Sequence, residues 1–262
     1  MLRANFGADE HSFHFIDAPH LWHAGPGVAS FYDGPFFAWW KNPTTADVQE
    51  ATRALLQRLQ AQHPPYDAVL CFSQGCSVLA SLIFYYQAEY PGRPLPFRSA
   101  IFVCGGAPLY VLESWLGVPE EAKSVAEQNL QLLHAASDDA PRKIEAYLAG
   151  GVRQSIWDRP TALWDGNGDG RGPSWGMPPL DAANVFGLDL SRLPPNLRLA
   201  FPTVHIYGHK DPVCTSSLQL AMMCDPEKRL VYDHGGGHEL PFKTNISKDI
   251  ASAIQWLEGE LL

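Results

Sequence analysis

The chain has 262 residues, 46% of them apolar and 18% charged; this is enough for one α/β domain with a large core and excludes a disordered or collagen-like chain. Nineteen basic against 28 acidic residues give a net charge of −9, and the longest basic runs are isolated pairs such as Lys228-Arg229, which excludes nucleic acid and an anionic membrane as partners. Apolar runs fall short of a membrane span, the five cysteines (Cys71, Cys76, Cys104, Cys214, Cys224) form no C-x-x-C pair and no secretory leader is legible, so a soluble cytoplasmic protein with reduced thiols is expected.

In chain order, the first predicted strand covers residues 13–16. A helix is predicted to open at Thr44, with Asp47 three residues on, and to carry Val48, Ala51, Leu55 and Leu59 on one stripe until Pro64-Pro65 stops it. Residues 68–72 read as a buried strand, and residues 74–87 as a helix apolar nearly all round. Further strands are predicted at 100–104, 203–207 and 230–232, with a closing helix from about Lys248 through Ile250, Ile254 and Leu257. Short, continuously apolar strands alternating with helices predict a mostly parallel sheet covered on both faces. Between residues 105 and 200 that rhythm lapses. Helical pieces near 120–134 and 140–148 precede a Gly/Pro/Trp stretch over 150–195, and an insertion of this size predicts a cap or lid within a single domain spanning 1–262.

The strand-to-helix junction at 72–74 carries Cys71-Phe72-Ser73-Gln74-Gly75. In that context a small-x-Ser-x-Gly match describes a strained turn that exposes a serine above the sheet, beside the positive end of the following helix. A serine hydroxyl is a weak nucleophile at neutral pH, so it needs a histidine to take its proton and an acid to orient that histidine. Asp211 lies just past the 203–207 strand and His238 follows the 230–232 strand, in Asp233-His234-Gly235-Gly236-Gly237-His238. Both positions fall at carboxyl ends of strands, where a shared site forms. The backbone N–H of Gln74 is the expected oxyanion donor.

Rival readings attach to each residue. Ser73 could be an ordinary helix N-cap and Asp211 a turn residue before Pro212, while Asp233 competes as the acid and His234 as the base. Asp165-x-Asn167-x-Asp169-Gly170 resembles the front half of a calcium loop but has Gly176 at its twelfth position. His20 with His23, and His234 with His238, can be drawn as metal pairs, yet no third ligand is evident. No metal or cofactor is therefore expected. The aromatic residues Phe31, Tyr32, Phe36, Phe37, Trp39 and Trp40, with Trp115, Trp157, Trp164 and Trp175, favour an apolar substrate. Of these, Phe36, Phe37, Trp39, Trp40, Trp164 and Trp175 are the expected substrate contacts.

Taken together, Phe15-Ile16-Asp17-Ala18-Pro19-His20, Gly34-Pro35-Phe36-Phe37-Ala38-Trp39-Trp40, Phe72-Ser73-Gln74-Gly75, Gly208-His209-Lys210-Asp211 and Gly236-Gly237-His238-Glu239-Leu240-Pro241 resemble the fungal serine hydrolases of the FSH type, in the α/β-hydrolase superfamily. The resemblance implies Ser73 as nucleophile, Asp211 as acid and His238 as base, and esterase or thioesterase activity, commonly on acyl chains from fungal secondary metabolism. Two departures stand out. The family has glycine where Cys71 stands, and it begins with a central strand and a His-Gly loop that supplies one oxyanion amide. Here Met1 to Phe6 looks like the tail of the helix that follows that strand, which leaves half an oxyanion hole.

The expected activity is hydrolysis of an ester or thioester with a hydrophobic acyl part, through an acyl-enzyme, in polyketide or related secondary metabolism. The substrate is a small molecule, free or bound to a carrier protein. Two alternatives stand beside it: condensation or cyclisation at the same site, and a catalytically silent interaction protein whose open strand edge recruits another chain. A homodimer is also open.

Overall fold

A computed structural model describes residues 11–24, 33–106, 108–149, 173–240 and 244–261, with the side chains of Ser114 and of residues 136–149 outside the description. A short antiparallel pair, β1 (His20–Trp22) and β2 (Phe36–Ala38), precedes helix α1 (Thr45–Gln60). Then follow β3 (Tyr66–Phe72), α2 (Gln74–Glu89), β4 (Phe97–Val103), α3 (Leu109–Leu116) and α4 (Glu120–Ala149). The chain continues through β5 (Ser174–Trp175), β6 (Thr203–Tyr207), α5 (Cys214–Met222), β7 (Arg229–Asp233) and α6 (Thr244–Gly259).

The main sheet runs in the order β3-β4-β6-β7-β5; its first four strands are parallel and β5 joins β7 antiparallel. The predicted parallel α/β architecture is therefore present. β4 shows why its strands read as unbroken apolar runs. Ala100 and Phe102 pack with α1 and α2, while Ile101 and Val103 pack with Ile250, Ile254 and Leu257 of α6 on the opposite face. Each of the larger of these side chains stabilises the fold by roughly 1.5–3 kcal/mol relative to exposure. α1 begins where the sequence places it: Thr44 Oγ1 accepts the Asp47 amide at 3.2 Å, and Val48, Ala51, Leu55 and Leu59 form its buried stripe. The ladder aligns Phe72 with Val103, Val103 with Ile206 and Tyr207 with Asp233, so β3, β6 and β7 end at one common rim.

Two expectations change. Residues 13–16 are not a strand: Phe13 docks its ring on the α6 side of the core and His14 meets the Tyr66 hydroxyl at 3.2 Å, while Phe15 stays exposed and no ladder forms. Partial burial of Phe13 and Ile16 holds this segment in place without backbone pairing. β3 consequently has β4 on one side and no strand on its other side among the described residues, and Leu70 and Phe72 remain 40% and 37% exposed there. Next, the two helical pieces expected near 120–134 and 140–148 form one continuous helix, α4. The described part of the 105–200 insertion also adds to the core: Val185, Leu188, Leu190, Leu193, Leu197 and Leu199 are buried in the same cluster as α2. The calcium-like loop at 165–170 and the residues Phe31, Tyr32, Trp157 and Trp164 lie outside the described residues. Among the described residues no helix is long and apolar enough to cross a membrane.

Candidate active site

Ser73 sits between the last residue of β3 and the first of α2, with φ 53° and ψ −118°. A non-glycine residue in the left-handed half of backbone space costs on the order of 1–3 kcal/mol and persists only where its surroundings fix it. Here the Ser73 amide donates to the Val103 carbonyl and the Cys76 amide donates back to the Ser73 carbonyl, both at 3.0 Å. The bend turns the hydroxyl away from its own helix: Ser73 occupies the N-cap position but makes no side-chain cap bond. The N-cap reading therefore fails on geometry. Cys71 fits where the resembled family has glycine because its side chain is buried, with Sγ toward the Ile101 carbonyl at 3.4 Å.

The freed hydroxyl meets His238. Ser73 Oγ lies 2.8 Å from His238 Nε2, and His238 Nδ1 lies 2.9 Å from Asp211 Oδ2. Asp211 is buried, and its other oxygen accepts the Val213 amide at 2.8 Å, which fixes the carboxylate plane. With Nδ1–H donated to the carboxylate, Nε2 is left as the acceptor for the serine proton. Such a chain can deprotonate an alcohol as it attacks a carbonyl and then return the proton to a leaving group.

The rival residues are occupied elsewhere. His234 is buried, its Nδ1 accepts the Gly236 amide at 3.2 Å and its Nε2 faces Cys104 Sγ at 3.5 Å. Desolvation by burial pulls its pKa down to about 4, partly offset by Asp233 and Asp211, so it is neutral at pH 7. Burial likewise pushes the Cys104 thiol well up, with the Asp211 charge adding to the effect. Asp233 accepts from His209 and Gly235. Among the described residues no group of three or more His, Cys, Asp or Glu side chains is gathered as a metal would require.

Around this centre the structure adds contacts that motif reading misses. Gln74 begins α2, where first-turn N–H groups have no intrahelical acceptor and point toward the positive end of the helix dipole. Its side chain clamps the chain after β2: the Trp39 amide donates to Oε1 at 2.8 Å and Nε2 donates to the Trp40 carbonyl at 3.2 Å. The Trp39 amide is thus spent on Gln74 rather than aimed at an oxyanion. The Phe72 ring lies 5.2 Å from the His238 ring. One hint of the Gln74 clamp was available, since Gln immediately after the serine is a long polar side chain at the start of an otherwise apolar helix.

The expected substrate contacts separate in space. Phe36 and Trp39 are half-buried and Phe37 is exposed, whereas Trp40 is buried in the core edge-on to Tyr110. Trp175 lies on β5 with its ring 4.5 Å from Tyr232, beside the chain that leads to His238.

Comparison with known proteins places the chain among serine hydrolases. A family model described as serine hydrolase (FSH1) matches residues 1–150 and 166–250. Among curated proteins, the chain is 22% identical over 250 residues to "Esterase FPY3" of Fusarium mangiferae, covering 95% of this chain and 82% of that protein. It is 25% identical over 218 residues to "Hydrolase FUB4" of Fusarium oxysporum f. sp. lycopersici (79% and 72% covered). It is 28% identical over 262 residues to "Probable esterase tazC" of Aspergillus terreus (92% and 77% covered). No solved structure matches the chain.

Proposed function

The chain belongs to the FSH1 serine hydrolase family, of the α/β-hydrolase superfamily, and is a hydrolytic enzyme; from that premise we propose that it cleaves an ester or thioester with a hydrophobic acyl part by a Ser73-His238-Asp211 triad. Ser73 Oγ attacks the carbonyl carbon as His238 Nε2 takes its proton, and Asp211 holds the ring and stabilises the imidazolium. The Gln74 amide receives the developing oxyanion. Collapse of the tetrahedral adduct breaks the bond to the leaving group, which takes the proton back from His238, and leaves an acyl-Ser73. Water, deprotonated by His238, then releases the acid.

The observation that carries this reading is the continuous chain from Asp211 Oδ2 through the His238 ring to Ser73 Oγ, at 2.9 and 2.8 Å. Its strained elbow favours a working nucleophile over a silent interaction protein, since such strain is retained where function uses it. The half-buried and exposed aromatic residues of β2 and Trp39 support an apolar acyl group, for which chains of fungal secondary metabolism, polyketide chains among them, are the class the resemblance implies. A carrier-protein thioester is compatible with the same attack. Treatment with a fluorophosphonate probe tests the assignment: the wild-type protein is labelled and Ser73→Ala is not, whereas unchanged labelling of that variant rules Ser73 out as the nucleophile.

A further inference from the structure

Asp233 ends β7 with a buried carboxylate whose two oxygens serve two different loops. Oδ1 accepts the Gly235 amide at 2.8 Å and the His209 amide at 3.1 Å, and Oδ2 accepts His209 Nδ1–H at 2.8 Å. Gly235 begins the turn that delivers His238, and His209 lies in the turn that delivers Asp211. The same loops meet again where the Lys210 amide donates to the Gly236 carbonyl at 3.1 Å. They also meet at Gly208, where any Cβ would strike that carbonyl. A buried carboxylate is tolerated only when donors satisfy its lone pairs, and charge-assisted bonds of this kind are the short, directional ones.

We infer that Asp233, through His209, is a positioning residue for the reaction: it sets the spacing between the Asp211 turn and the His238 turn. It thereby aligns the His238 ring between Asp211 Oδ2 and Ser73 Oγ. The inference rests on the triad proposed above, in which Asp211 and not Asp233 faces His238 Nδ1. Asp233 touches neither the ring of His238 nor Ser73 in these bonds, so its effect passes through the loops. A misplacement of about 1 Å at a reacting group costs up to about 10²-fold in rate.

Asp233→Asn keeps the side chain's size and one oxygen for the backbone amides but loses the charge and the second acceptor for His209. His209→Gln removes the imidazole from the other end of the link. Turnover of an aryl ester is measured per serine titrated by the fluorophosphonate probe, so that unfolded protein is not counted. Each variant is expected to lower kcat per titrated serine about 10- to 100-fold, with KM changed less than about two-fold. The double variant is expected to be no slower than the worse single one, because both break one link. A downfield proton resonance of His238 Nδ1–H is expected in the wild type and is expected to broaden or vanish in Asp233→Asn.

Unchanged kcat per titrated serine, with only a lowered melting temperature, would overturn the positioning role and leave Asp233 a purely structural residue. So would independent, multiplicative losses in the double variant. A wild-type protein that the probe does not label defeats the triad reading instead, and survival of the His238 resonance in Asp233→Asn then defeats the positioning role on its own.

Discussion

Two regions flank Ser73 and differ sharply in how firmly they are specified. On one side, the loops after β6 and β7 are buried, cross-linked and crowded: Asp211, Asp233 and His234 are almost fully enclosed, and Gly208 leaves no room for a side chain. On the other, the edge of β3 that has no strand partner among the described residues and the β1–β2 pair leave Leu21, Trp22, Phe37, Leu70 and Phe72 substantially exposed. The lesson is one of division of labour. Proton transfer tolerates only small displacements and is built from short bonds at strand ends, whereas apolar contact is non-directional and is spread over a surface.

The largest effect is expected on the crowded side. His238→Ala or Asp211→Asn should reduce kcat by about 10⁴- to 10⁶-fold while folding is retained, as judged by circular dichroism. Residual activity within tenfold of wild type would show that proton transfer does not run through this chain. On the open side the clamp matters most. Gln74→Met removes partners from the Trp39 amide and the Trp40 carbonyl, and the unfolding free energy from urea titration should fall by about 1–3 kcal/mol. No change would mean that the hairpin is not held by this side chain.

A smaller, graded effect is expected from pH. Desolvation by burial lowers His205 to about 3 and His234 to about 4, against 6.5 for an ordinary histidine. Below pH 6.5 the unfolded chain binds protons that these folded rings refuse. The stability they confer is therefore complete above about pH 6.5 and is lost as pH falls toward 4, at about 1.4 kcal/mol per pH unit for each ring. Urea midpoints should drop between pH 7 and pH 5, and the drop should be shallower in His205→Gln. A midpoint that rises on acidification would contradict this. The smallest effect concerns the thiols: Cys71, Cys76, Cys104 and Cys224 are buried, and burial raises Cys224 to about 12. Native protein at pH 8 should resist iodoacetamide at these four positions until denatured, as read by intact mass.

Sequence patterns reached the crowded side well and the open side poorly. β6 was legible to the residue because both of its faces are covered, so apolar side chains run without interruption. The convergence of Ser73, Asp211 and His238, the residues of the proposed triad, was legible because turns and strand ends tie these side chains to one rim. Residues 13–16 misled because a short apolar run reports burial, not the presence of a neighbouring strand, and here Phe13 and Ile16 are docked without a ladder. The leucines of 185–199 were hidden inside a Gly/Pro-rich stretch with no period to reveal them. The Asp233 link was not legible at all, and the Gln74 clamp showed only as a polar residue opening an apolar helix. Both join segments far apart in sequence through a few side-chain hydrogen bonds, which leave no periodic trace.

The central claim is a covalent intermediate on Ser73 formed with help from His238. Peptide mapping after rapid acid quench of a reaction with an activated aryl ester tests it most directly. The predicted result is an acyl adduct on the peptide bearing Ser73, accumulating in a burst in the wild type and absent from His238→Ala. An adduct on another residue, or full turnover with Ser73 never acylated, would contradict it.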